Sequence, residues 1–530
     1  MNKTGKTVFF AVLTAFTLVY IGWRVIFTVP YDHDALSVIF AWVLLLAEIL
    51  GAAGLIGFFG FYVSEGEKPK EPAFPPKSGY PAVDVFVTTC GESVELLKKT
   101  LSACLAMEYR GRFGVWLLDD RGRPEMKELA ARLGAGYLAR SGHEHAKAGN
   151  LNAALKKTNA PLVAVFDADM APRPEFLERT VPYMTRGVGY VQTPQSFRNP
   201  DLFQKAAGRM KIPNEQDFFY RSIEPARNAV NAVVLAGSNM LISRKALRDV
   251  GGFAVDTVTE DFATGIALQQ KGYRGVALAE TLAEGLAPDS LGALIRQRRR
   301  WARGCIQSGR KARLLFGRKL SFGQRMSYLI AVSYWFFPLK RLIYFAAPLL
   351  YSLFGIAVMR CDPMTACIFW LPMYLLTVVG LPVFSGRTRT VGWSMFYETC
   401  LAPFLLGSVV AEALGFRQKV FQVTDKSGKN DWHMWMTVPH LLILVLAAAA
   451  LVCSVRLSVQ EQTFRYALLI VWNLYHLYLA LCGELFVLNC KKSRPEKPAS
   501  ELPHRLSGRA LAALKLPGLF VSLFNKGNAA

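Results

Sequence analysis

The sequence contains no Cys-x-x-Cys pair. Its nine cysteines are scattered over 530 residues, which excludes a zinc ribbon or a disulfide framework and fits reduced thiols facing cytosol or lipid. Charge is also scarce. Only 19% of residues are Asp, Glu, Lys or Arg, against 52% hydrophobic, a low share for a soluble protein. Acidic residues are the scarcer kind, 39 against 62 basic, for a formal net charge of +23. Such an excess suits nucleic acid, a membrane surface or an anionic substrate. Apolar runs long enough to cross a bilayer decide against a plain nucleic-acid binder, and part of the excess belongs to basic cytoplasmic loops. The sequence shows no internal repeat, which argues against a transporter built from repeated span sets.

The apolar runs frame the chain. Lys3 and Lys6 precede Thr7–Val29, which is too long for a signal-peptide core and lacks a small-residue cleavage site, so a retained helix is expected. Ala35–Val63 is a second span, giving a two-helix unit over residues 1–64. Residues 65–80, polar and proline-bearing, read as a linker. Within residues 317–490, four further runs follow: Leu342–Met359, Ala366–Phe384, Val438–Val455 and Phe464–Leu488. Ser321–Phe337 and Gly392–Leu414 are apolar but interrupted by polar residues, as in helices lying in the interface. Basic residues cluster at Lys68 and Lys70, Lys340 and Arg341, Arg387 and Arg389, and Lys491, Lys492 and Arg494. The positive-inside rule then places both termini and the intervening domain in the cytosol of a multi-pass protein of the cytoplasmic membrane. The tail, 491–530, has room for an amphipathic helix near Leu506–Leu523. Glu48 and Glu484 fall inside apolar runs. Intramembrane charges usually face a bundle interior or a wet path.

Between residues 81 and 316 the pattern changes to short β runs alternating with helical stretches. Val83–Thr89, Gly114–Leu118 and Leu162–Phe166 read as strands; Ser93–Met107, Arg123–Leu133 and Ala148–Thr158 read as helices. That is a doubly wound α/β order. The run 162–166 is apolar without alternation, as in a parallel strand buried on both faces. It ends in Asp167 and Asp169, two residues apart, so both are expected to point to one side of the sheet. Two carboxylates there suit Mg²⁺ or Mn²⁺ shared with a diphosphate, or else a solvated acidic turn.

Other strand ends carry polar groups too. Thr89 and Glu92 close the first; Asp119 and Asp120 close the second, where a carboxylate can accept a base N–H or ribose hydroxyls, or merely sit in a turn. Lys147, in His145-Ala-Lys-Ala-Gly-Asn150, opens a helix whose N-terminus suits phosphate. Thr259-Glu260-Asp261 places like charges side by side, which raises each pKa and favours a base poised near neutrality. Gln297-Arg298-Arg299-Arg300-Trp301 joins diphosphate donors to a flat ring, or else forms a basic juxtamembrane helix on anionic lipid.

This ordered set, with Gln192-Thr-Pro194, resembles the processive family 2 glycosyltransferases and is most similar to bacterial cellulose synthase catalytic subunits. The resemblance covers about residues 81–488. It implies an α/β nucleotide-sugar transferase domain, with a mixed, mostly parallel sheet, inserted between the helices of an α-helical membrane domain. It implies inverting transfer from a UDP-sugar, with UDP-glucose the best single choice, and export of a β-linked polysaccharide. Its partners would be UDP-sugar, the nascent polysaccharide, membrane lipid and accessory export subunits. Carried over by motif, Thr89, Glu92, Asp119, Asp120 and Lys147 would hold the nucleotide, and Asp167 and Asp169 the metal and diphosphate. Asp261 would be the base, flanked by Glu260 and Thr259. Gln297 and Arg300 would meet the diphosphate and Trp301 the acceptor sugar. Residues 416–430, with Phe421–Lys426, resemble the family's gating loop, so Lys426 would reach the donor. Met170 departs from a common His, and Leu235-Ala-Gly237-Ser238 from the usual Phe-Cys-Gly-Ser. The tail is too short for the cyclic-di-GMP-binding domain that many cellulose synthases append. Open alternatives are a synthase of curdlan, mixed-linkage glucan or a hyaluronan-like polymer, and a non-processive transferase acting on a lipid or short acceptor. A glycoside hydrolase also needs two carboxylates but not the Lys and Arg set.

Overall fold

Strands β1 (Val83–Thr89), β2 (Phe113–Asp119), β3 (Gly136–Ala139) and β4 (Leu162–Asp167) run parallel, in the order β3-β2-β1-β4. They belong to a computed structural model that describes residues 2–63, 79–208, 212–416 and 431–492. Short strands β5 (Ala171–Pro172), β7 (Ser196–Phe197) and β10 (Ala283–Gly285) form a small second sheet. The main sheet is completed by β8 (Met240–Ser243), β6 (Val188–Gln192) and β9 (Arg274–Ala277), with β8 antiparallel to both β4 and β6. The sheet is therefore mixed and mostly parallel, as expected.

Alternate residues of the central strands feed two cores. Val85, Val87, Leu117 and Phe166 pack with Leu97 and Leu101 of the Val94–Leu105 helix. Phe86, Leu118, Val163 and Val165 pack with Leu151 of the Ala146–Lys157 helix. Both faces are covered, which is why the 162–166 run shows no polar alternation. Each fully buried Val, Leu or Phe side chain contributes about 1.5–3 kcal/mol. The parallel register pairs Thr89 with Asp119 and Thr88 with Asp167. Three strand ends thus share one edge, where ligands of open α/β sheets bind.

Two details differ from the sequence reading. The helix expected from Ala148 begins at Ala146, so Lys147 lies in its first turn. Strand β4 stops at Asp167, where the Met170 N–H donates to the Asp167 carbonyl and closes a turn. Asp169 is therefore a turn residue and not the next outward strand position.

Among the described residues, six helices are long and apolar enough to cross a membrane: Lys3–Phe27, Ala35–Val63, Pro363–Phe384, Val391–Ala413, Met434–Gln460 and Phe464–Lys491. The bent pair Phe322–Tyr334 and Phe337–Phe354, at 57°, makes a seventh if it counts as one span. The six differ from those expected. Val391–Ala413, expected in the interface, qualifies by length and composition, while the run Leu342–Met359 falls in the bent pair. The Val391–Ala413 helix lies against the catalytic domain: Arg299 Nε donates to the Phe404 carbonyl (2.8 Å) and Arg310 to that of Glu412 (2.6 Å). Glu48 is paired across the first two helices with Arg24, Nε to Oε2 2.7 Å. Glu484 is buried, and its Oε2 has no hydrogen-bond partner among the described residues. Residues 65–78 of the linker, the tail beyond 492 and residues 417–430, including Lys426, lie outside the described residues.

Candidate active site

One crevice at the strand ends is lined by Thr89, Glu92, Asp120, Lys147, Asp167, Asp169, Thr259, Glu260, Asp261, Gln297, Arg300 and Trp301. Residues as far as 212 apart in sequence therefore meet in one place. Asp119 does not line it. Its carboxylate is fully buried and saturated: Oδ2 accepts the Arg123 N–H (2.6 Å) and the Tyr137 hydroxyl (3.1 Å), and Oδ1 accepts Arg123 Nε (3.3 Å). Asp119 shapes the turn, and Asp120 is the member of the pair that faces the cavity, held by Arg140 Nε. Glu92 is also committed locally. It accepts the Thr89 hydroxyl (2.8 Å) and the N–H groups of Cys90 (2.9 Å) and Gly91 (3.1 Å). Burial alone would raise its pKa, but those donors lower it overall.

Lys147 is the electrostatic centre. Its ammonium donates to Asp167 Oδ1 and to the Gly237 carbonyl (2.7 Å). Burial acts to lower its pKa, and Asp167 and Glu260 outweigh that, so it stays protonated. Asp261, in the first turn of the Glu260–Gln270 helix, is the opposite case. Burial, then the charge of Glu260, pushes its carboxyl up to about 7, against the Phe262 N–H, Lys147 and Arg300. A carboxyl so tuned can take up a proton near neutrality. Trp301 lines the same crevice from the Leu291–Lys311 helix. That helix reaches the site because Gly304 has no side chain: a Cβ there would stand 2.4 Å from the Thr259 methyl.

The turn Ala236–Asn239 joins these groups, and sequence reading assigned it no such role. The Asp167 N–H donates to Ser238 Oγ (2.9 Å), while Gly237 offers its carbonyl to Lys147. Two glutamines clasp the turn. Gln192 accepts the Ala236 N–H (2.9 Å) and donates to the Ser238 carbonyl (2.8 Å), and Gln195 donates to the Ala236 carbonyl (2.9 Å). The signal available was a pair of glutamines three apart, one ending a strand and one just past it.

A model of the glycosyl transferase family group 2 matches residues 162–381. A UDP-forming cellulose synthase catalytic subunit of Pseudomonas fluorescens is 31% identical over 500 residues, covering 92% of this chain and 67% of that protein. The chain belongs to the family 2 glycosyltransferases. Relatives that match over most of the chain at 31–35% identity are bacterial cellulose synthases. Cellulose synthase 2 of Novacetimonas hansenii is 33% identical over 88% of this chain but only 30% of its own length. The chain spans about a third of the longer relatives it matches. A solved structure, the mannosyltransferase of Pyrobaculum calidifontis in complex with GDP-Man and Mn²⁺, superposes with a TM-score of 0.51 at 19% identity, covering 72% of this chain and 100% of that one. That likeness establishes the nucleotide-sugar transferase fold.

Proposed function

We propose that this chain is a membrane-embedded, processive, inverting glycosyltransferase that polymerises sugar from a UDP-sugar, UDP-glucose foremost, into a β-linked polysaccharide and exports it across the cytoplasmic membrane. One observation carries the reading: a protonated Lys147, a carboxyl poised near 7 at Asp261, and Arg300 and Trp301 share one crevice. A non-processive transferase needs the first three but not an acceptor ring fixed on a helix that packs against the membrane domain.

Asp261 accepts the proton of the acceptor hydroxyl as that oxygen attacks the anomeric carbon. Lys147 and Arg300 hold the donor diphosphate and stabilise charge on the departing UDP. Gln297 adds a polar contact beside them, and Trp301 supports the acceptor ring so that its hydroxyl faces Asp261. Asp120, Thr89 and Glu92 form the nucleotide end. Glu484, a buried carboxyl in an apolar helix, would face the polysaccharide path with Tyr475 and Trp472.

The residues fit a divalent cation. Asp167 and Asp169 offer oxygen donors only, and among the described residues no group of three or more His, Cys, Asp or Glu forms a closed site. A hard ion on two carboxylates would complete its shell from diphosphate and water. When bound, Mg²⁺ or Mn²⁺ neutralises the leaving diphosphate. Excess chelator should therefore abolish turnover, and Mg²⁺ or Mn²⁺ should restore it. Full turnover without free metal would contradict the assignment.

Trp301→Ala should cut polymer formation by about 10²-fold and shorten what is made, because acceptor misplacement of about 1 Å has that effect. UDP binding should persist. Long product at the normal rate would leave Trp301 a packing residue. The function itself is tested by incubating purified protein with a panel of radiolabelled UDP-sugars and digesting the product with linkage-specific glycosidases. A β-glucan from UDP-glucose is expected; no polymer from any UDP-sugar would reject the proposal.

A further inference from the structure

The three consecutive arginines of the Gln297–Trp301 segment face three ways. Arg300 lines the crevice. Arg299 donates to the Phe404 carbonyl of the Val391–Ala413 helix. Arg298 turns inward and is only 2% exposed. Its guanidinium carbon lies 4.2 Å from the centre of the Trp301 ring. NH1 donates to Gln297 Oε1 (3.2 Å), Nε to the Tyr397 hydroxyl (3.1 Å), and NH2 is paired with Glu215.

We propose that Arg298 is the positioning residue of the acceptor platform, fixing the Trp301 ring and the Gln297 amide against Tyr397 of the Val391–Ala413 helix. The inference rests on the transferase reading above and names the residue that makes its platform rigid. A guanidinium can do this because it is planar. It stacks on an indole with its face while its edge donates in several fixed directions. A lysine ammonium cannot do both. Glu215 offsets the burial of the charge, so the cation can sit under the ring without contact with solvent. Tyr397 belongs to the helix that carries Glu398, the partner of Arg341 in the Phe337–Phe354 helix (2.8 Å). The acceptor ring is thereby tied to the membrane domain that would receive the polymer.

Removing Arg298 alone leaves Glu215 buried and unpaired, which costs stability whatever the role. The decisive variant is therefore Arg298→Met combined with Glu215→Met, since exchanging both members of a buried ion pair for apolar residues is often neutral for folding. Full-length protein, wild type and variants, is compared for thermal unfolding, UDP binding, and the kcat, KM and product length of polymer synthesis from the same UDP-sugar. The expected double variant is folded, binds UDP within about threefold of wild type, and keeps its KM within about threefold. Its kcat falls at least about tenfold, with shorter chains, as for loss of orientation without loss of donor affinity. Arg298→Lys should not restore length. A double variant with wild-type rate and length overturns the proposal, because Arg298 and Glu215 are then a structural ion pair. So does one that loses UDP binding or folding together with synthesis. Wild-type protein that makes no polymer from any UDP-sugar fails the transferase reading instead, a result distinguishable from normal wild-type synthesis matched by the double variant.

Discussion

Asp261→Asn should lower sugar transfer by about 10²–10⁴-fold, the usual contribution of a general base, while UDP-sugar binding survives. The substitution keeps shape and removes the basic carboxylate. On the proposed mechanism the donor is held elsewhere, by Lys147, Arg300 and the Asp167–Asp169 pair. The pH profile gives a second readout. Burial and Glu260 push the Asp261 carboxyl up to about 7, and only its ionised form can accept a proton. The wild-type rate should therefore fall as pH drops through about 7 and level off above it. A bound divalent cation acts to move that limb lower, and the negative charge of the donor diphosphate opposes it. In Asp261→Asn the residual rate should lose it. If binding and synthesis vanish together, Asp261 is a donor-site or structural residue, and the base is to be sought first at Glu260.

Gly237→Ala should be nearly as damaging, though it removes no chemical group. Gly237 has φ +81°, and a Cβ there would lie 2.5 Å from Asp261 Oδ2. A left-handed conformation costs a residue with a Cβ about 1–2 kcal/mol. The clash must then be relieved by moving either Asp261 or the turn. Moving the turn also pulls the Gly237 carbonyl from Lys147 and Ser238 Oγ from the Asp167 N–H. Transfer should drop by about 10²-fold or more, as for misplacement by about 1 Å, with stability lowered by about 1–2 kcal/mol. Near-normal kinetics would mean that the site tolerates a shifted turn and that the spacing of Lys147, Asp167 and Asp261 is not critical.

These two residues show how far sequence reading reaches. Asp261 was legible because its signal is local: adjacent carboxylates opening a helix. The strand 162–166 and the Lys147 helix were legible for the same reason, each carrying its own periodicity or charge pattern, and the 297–301 segment showed its charge pattern while its helix was only one of two readings. Gly237 was visible only as part of an altered motif. Its role depends on Asp261, 24 residues later, and on two glutamines 42 and 45 residues earlier, and such proximity has no local signature. Asp119 was misplaced by the opposite effect. Its motif points to the crevice, but Arg123, Arg121 and Tyr137 take up the carboxylate, leaving Asp120 to face it. Strands β3, β6, β8 and β9, four or five residues each, are too short to show a period and are held by their neighbours. The altered set of candidate spans has a similar cause. Val391–Ala413 carries the polar residues of an interface helix, yet many of them turn toward partners inside the protein, as Glu398 and Glu412 do.

The central claim is that one chain both transfers sugar and keeps hold of a growing polymer. It is tested most directly by pulse and chase in proteoliposomes. Purified protein is given a short pulse of radiolabelled UDP-glucose, then a large excess of unlabelled donor, and the length and location of labelled product are followed. The account predicts that label moves into ever longer chains, stays with the enzyme during the chase, and accumulates on the side of the membrane away from the donor. Label that stops at a single sugar on lipid or a short acceptor, on the donor side, would contradict it.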